Sequence, residues 1–107
     1  METSEIRNVA DTRQVKESAK QARYSREQEL NDLRGVMETP YGRRFMFRLL
    51  EFCGLNRTVF HASGSFMYFN EGARSVALSV EKDLKESCFD LLQLMELEAR
   101  KKEETNA

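Results

Sequence analysis

The stretch that decides the fold is Met37–Leu55, METPYGRRFMFRLLEFCGL. Thr39-Pro40 reads as a helix start. Threonine supplies a side-chain acceptor for the unpaired N–H groups of a first turn, and proline at the first helical position loses only an N–H that has no partner anyway. The residue before a proline is pushed out of the helical region, so any preceding helix must stop near Glu38. A second helix then runs from Pro40 to about Cys53 and ends on Gly54, which can take the left-handed conformation of a C-cap. Its apolar set is Phe45, Met46, Leu49, Leu50, Phe52 and Cys53. That set is too wide for one helix face, and it predicts a helix that faces two neighbours at once.

Upstream, nothing from Thr12 to Met37 breaks a helix except Gly35 near its end. Asp11 with Gln14 approximates a capping box, and Ser25 with Gln28 offers a second start. The apolar stripe is Val15, Ala19, Ala22, Leu30, Leu33 and Met37, thin in its first half. That half is expected to project as a polar helix or to lie on a neighbouring molecule, with i, i+4 pairs Arg13–Glu17 and Arg23–Glu27 adding a little support. Residues 1–10 carry few large apolar groups and are expected to form a flexible arm.

Downstream, residues 55–66 contain Ser-Gly-Ser and lack helical spacing, so a loop anchored by Leu55, Val59 and Phe60 is expected. Asn70 then caps a third helix with the stripe Ala73, Val76, Ala77, Val80 and Leu84. Ser87 with Asp90 reads as the start of a fourth helix at Cys88, carrying Phe89, Leu91, Leu92, Met95 and Leu97. The competing reading is one unbroken helix over 71–101, because no Gly or Pro intervenes. The fold class is therefore all-α: a small bundle of about four helices with a long polar N-terminal helix or arm. The single helical domain spans 11–101, and 102–107 form a disordered tail.

Chemistry is scarce in the sequence. Formal net charge is −1, which does not suit a basic nucleic-acid binder, where excess positive charge supplies most of the affinity. No apolar run reaches the ~18 residues that cross a membrane. Cys53 and Cys88 fit reduced thiols in a core better than a disulfide or a metal pair. The one histidine, His61, has no triad around it, and Glu96, Glu98, Glu103 and Glu104 lack histidine partners. No catalytic residue, no cofactor and no metal site is expected. Two clusters remain as binding candidates. Arg43, Arg44 and Arg48, with Arg57 and Arg74, could form a basic patch for phosphates or carboxylates, or could pair inside the fold with Glu38, Glu51 and Glu71. Phe66, Met67, Tyr68 and Phe69 are four large residues in succession, which one helix face cannot bury together, so some should be exposed or meet a partner.

These residues also carry a resemblance. The pattern D-L-x-x-V-x-x-T-P-x-G-R-R-x-x-x-R-L-L-x-x-C-G, followed after a loop by F-N-E-G-x-R-x-V, resembles a small family of tailed-bacteriophage proteins of podophage type. Thr39, Pro40, Gly42, Arg43, Arg44, Leu49, Leu50, Cys53 and Gly54 match its first half. Phe69, Asn70, Glu71, Gly72, Arg74 and Val76 match its second half, and the likeness spans residues 11–98. The chain departs from the pattern at ESCFDLL, where relatives often carry Asp-Pro. The resemblance implies a product of the phage morphogenesis module. It would be a virion protein made in the bacterial host cytoplasm, internal to the capsid or at the portal and tail junction, and multimeric in the particle. Its partners would be portal, ejection or tail proteins, and it could itself be ejected with DNA. A transient assembly or packaging factor is the alternative; DNA contact is less favoured. The resemblance further implies that Gly42 and Gly72 let two helix starts approach, with Arg43, Arg44, Glu71 and Arg74 as an ion-pair cluster there.

Overall fold

A computed structural model describes residues 2–57 and 63–106, with side chains from Val9 onward. The described residues form three helices: α1 (Glu2–Met37), α2 (Pro40–Phe52) and α3 (Gly64–Asn106). The expectation of about four helices is corrected to three. α3 is continuous apart from Cys88, whose φ of −157° and ψ of 64° leave the helical region. That interruption falls at the residue where a fourth helix was expected to begin. Ser87 does not cap there. Its hydroxyl instead donates to the Leu30 carbonyl of α1, so a contact between helices replaces a helix start.

Three other boundaries move. α1 begins at Glu2, so neither Asp11 nor Ser25 starts a helix, and residues 2–10 carry helical backbone. α3 begins at Gly64, with the Ser63 carbonyl accepting from the Met67 N–H, so Asn70 lies inside a helix and does not cap one. Residues 102–106 continue α3. Val59, Phe60 and His61 lie outside the described residues.

α1 and α3 run side by side in the same direction. Arg26 reaches Asp83, Ser87 reaches Leu30 and Arg34 reaches Asp90, a nearly constant offset along both chains. α2 runs against them: its first turn meets Glu98, while its end shares a cleft with Phe69, Asn70 and Ala73. The core is the seam where the three meet. Met37, Met46, Leu50, Leu55, Ala77, Leu84, Cys88, Leu92 and Met95 are buried there, with Leu33, Phe47 and Val80 packed against them. Both cysteines are free: Cys88 is in the core, where burial pushes its thiol up, and Cys53 is half-buried.

The molecule is long and thin, 76 × 38 × 15 Å. Its radius of gyration of 20.9 Å exceeds the ~13 Å of a compact 100-residue domain. The excess comes from the two long helices, 36 and 43 residues, and residues 9–25 of α1 are all exposed, Val15 included. The expected pairs Arg13–Glu17 and Arg23–Glu27 do not form; among the described side chains the ion pairs of α1 are those of Arg26 and Arg34. Among the described residues nothing covers the thin stripe ahead of Leu30.

Arg26 holds α1 to α3 with bonds of 2.7 Å to Asp83 and 3.0 Å to Glu86. Arg26 therefore keeps the Asp83 carboxyl below the usual carboxylate range. With the folded value depressed, the stabilisation is fully present above the ordinary carboxylate range and is lost as pH falls through the folded value. Asp83→Asn should lower the melting temperature at pH 6 and lose less on acidification to pH 3 than wild type, read by circular dichroism. Parallel losses in both proteins would show that this pair does not contribute. The effect is small, because both partners are partly solvated.

Candidate functional site

The TPYGRR segment builds the joint between α1 and α2. A helix leaves its last carbonyls without partners, and this segment supplies them. The Thr39 hydroxyl donates to the Val36 carbonyl at 3.2 Å while accepting from the Gly42 N–H at 3.1 Å. Arg43 donates through Nη1 to the Met37 carbonyl and through Nε to Glu98 Oε1 of α3, both at 2.8 Å. One arginine thus ties the three helices together, and it is 8 % exposed. Gly42 sits so close to α1 that a Cβ there would lie 1.8 Å from the Val36 carbonyl oxygen. The other end of α2 closes as expected. Gly54, at φ 80°, donates to Glu51, Leu55 donates to Leu50, and Arg57 covers the Glu51 and Phe52 carbonyls.

The residues singled out in the sequence therefore separate. Arg43 is a structural clamp whose partner is Glu98, not Glu71. Arg44 and Arg48 are exposed on α2, and the Arg48 guanidinium lies 5.9 Å from the Phe45 ring centre. Glu71 is exposed on α3 with no ion pair among the described residues, and Arg74 is half-buried with its Nε lacking a hydrogen-bond partner there. The expected four-membered ion-pair cluster does not form. Gly72 meets nothing within 4 Å, so of the two glycines only Gly42 makes a close approach, and it approaches the end of α1. Gly35 is likewise in open space inside a helix, so Gly35→Ala should stabilise the fold by about 0.5–1 kcal/mol through lost chain entropy. A lower melting point for that variant would contradict the open surroundings.

Phe66, Tyr68 and Phe69 are exposed on the first two turns of α3, and Met67 is half-buried. The sequence did not mark the larger apolar surface on α2. Met46 and Leu50 enter the core, but Tyr41 (69 % exposed), Phe45 (55 %), Leu49 (40 %) and Phe52 (82 %) stand on the opposite side of the helix. Their spacing of four, four and three residues makes one stripe. It continues across a cleft onto α3, since Phe52 and Phe69 line the same hollow with Cys53, Gly54 and Asn70. The signal was present in the breadth of the apolar set, which demands two neighbours. Among the described residues α1 and α3 are those neighbours, both packed on one side of α2, and the opposite side stays exposed.

Beside the stripe, a second cleft of about 700 Å³ opens between α2 and the last turns of α3. Tyr41, Phe47, Met95 and Ala99 form its apolar lining, and Arg44, Arg48 and Lys102 stand around it. Among the described residues, no three His, Cys, Asp or Glu side chains gather as metal ligands, and no helix is long and apolar enough to cross a membrane.

Residues 33–96 match the family model described as Bbp19-like phage protein. The chain belongs to that family. No curated protein and no solved structure matches it. The Bbp19-like segment takes in the end of α1, the TPYGRR joint, all of α2 with both its faces, and α3 as far as Glu96. The projecting half of α1 and Lys102 lie outside it.

Proposed function

We propose that this Bbp19-like protein is a non-enzymatic component of the phage particle that joins neighbouring phage proteins, inside the capsid or at the portal and tail junction. The observation that carries the reading is the uncovered second face of α2. Four large apolar side chains on a short, well-capped helix are more than a lone soluble chain ordinarily leaves in water, and such patches mark contact surfaces. The exposed half of α1 supports the same conclusion, because a polar helix with no packing of its own gains order from a neighbour. The candidate residues Arg44, Arg48, Phe66, Tyr68 and Phe69 are all exposed.

The test is mass spectrometry of purified particles before and after DNA ejection. The chain is expected in intact particles. Its loss on emptying would make it an ejected internal protein, and its persistence would make it a fixed part. Absence from both would overturn the reading in favour of an assembly or packaging factor that leaves before the particle is complete.

A further inference from the structure

We infer that the outer face of α2 is the seat for a helix of another protein, apolar along one face and acidic along one edge. This rests on the proposed role as a joining protein and specifies the chemistry of the partner. The stripe Tyr41, Phe45, Leu49 and Phe52 spans nearly the whole length of α2, the form of a surface that receives a helix lengthwise. One edge of it is mainly cationic, the Glu51 carboxylate at the far end of that edge being already engaged by Asn56. Arg44 and Arg48 follow one edge of the stripe, and across the adjoining cleft Lys102 adds a third cation. Of the acids lining that cleft, Glu98 is already engaged by Arg43, which leaves Glu103 alone against the three cations. Arg48 lies over the Phe45 ring, so stripe and charged edge form one continuous surface. Its guanidinium can stack on the ring and still offer N–H groups to a carboxylate.

The same edge argues against a second copy of this chain. An antiparallel two-fold pairing would set Tyr41 on a second copy's Phe52 and Phe45 on its Leu49, which suits the apolar groups. It would also set Arg44 and Arg48 of one copy along the same two arginines of the other, with only Glu51, whose carboxylate Asn56 already engages, to offset them. Such juxtaposition selects against a partner. Carboxylates along the facing edge remove that repulsion and convert it to attraction.

The experiment uses the full chain and two synthetic helical peptides of about 18 residues, long enough to cover α2. Both carry leucine and phenylalanine at i, i+4, i+7 and i+11. One has glutamates along a single edge of that stripe, and its isomer has lysines there. At about 50 mM salt the glutamate peptide should bind at least about tenfold tighter, and the preference should shrink at about 500 mM. Amide NMR shifts should centre on residues 41–52, and Arg44→Glu with Arg48→Glu should reverse the preference. These side chains are exposed, and the milder pair Arg44→Gln with Arg48→Gln should abolish the preference if the glutamates disturb folding. Equal binding of the two peptides, shifts centred elsewhere, or a dimer of the wild-type chain that neither peptide dissociates would overturn the proposal. So would displacement of the glutamate peptide by a single-stranded DNA 20-mer, which would assign the edge to phosphates. None of these results requires a particle. A failed peptide experiment beside a chain found in virions would remove this docking surface and leave the proposed role standing.

Discussion

Gly42→Ala should destabilise this protein by about 3 kcal/mol or more, far beyond what a single methyl costs on an exposed helix. The new Cβ would lie 1.8 Å from the Val36 carbonyl oxygen, 2.9 Å from its carbon and 2.7 Å from Thr39 Oγ1. Two of those three atoms are backbone, so no rotamer change relieves the overlap. The end of α1 and the first turn of α2 must move apart. That separation breaks the Thr39 cap, worth about 1 kcal/mol by itself, and draws the Met37 carbonyl away from Arg43. For a domain of this size, 3 kcal/mol corresponds to a fall of roughly 12–24 °C in melting temperature. Gly35→Ala and Gly72→Ala supply the controls, since both positions are helical and open. Thermal melts of the three variants should therefore separate Gly42 from the others. A Gly42→Ala protein that melts with wild type would mean that the helices do not approach as described.

The second large effect is expected at Arg43. Arg43→Met keeps most of the apolar stem but removes the guanidinium, leaving the Met37 carbonyl and the Glu98 carboxylate without their partner. A fully buried pair broken on one side costs ~3–5 kcal/mol, and the partial exposure of Glu98 reduces this to about 2–4 kcal/mol. Arg43→Lys should recover only part, because one ammonium on a flexible stem cannot hold both acceptors in a fixed fork. Glu98→Gln should cost less, about 1 kcal/mol, since the amide oxygen still accepts the Nε hydrogen bond. Denaturant midpoints of the singles and of the Arg43→Met, Glu98→Gln double variant give the coupling between the two side chains. Strict additivity would show that they do not act together. An assignment of Arg43 to an external ligand makes the opposite forecast, with stability unchanged and only binding affected.

These two residues also show what the sequence could and could not disclose. The start of α2 at Pro40 and its end at Gly54 were legible because capping chemistry is local: threonine, proline and glycine act on backbone groups within four residues. The breadth of the α2 apolar set was legible for the same reason: α1 and α3 are the two neighbours it announced, and four large side chains of α2 still stand clear of both. What the sequence concealed depends on distant register. Nothing near Arg43 names Glu98, and nothing near Arg26 names Asp83 or Glu86. Those pairings follow from α1 and α3 lying parallel, with α2 opposed to both. The same cause explains the false cluster, since motifs adjacent in a pattern, TPYGRR and FNEG, lie at opposite ends of α2 in the fold. The start of α3 was missed because Gly64 and Ser65 look like loop residues, while the aromatic run after them, read as a problem for a helix, is tolerated by leaving three of its four members exposed. The break at Cys88 was located by the Ser87–Asp90 spacing, yet without Gly or Pro it interrupts one helix instead of separating two.

The measurement that bears most directly on the account is the amount of this protein in purified particles, by quantitative mass spectrometry, for phage carrying the wild-type chain and phage carrying Phe45→Glu with Phe52→Glu. Both side chains stand clear of the core, so the variant should accumulate folded in the infected cell. The account predicts a chain present in wild-type particles and depleted from variant particles. Equal amounts in both would contradict the claim that the outer face of α2 holds this protein to its neighbours.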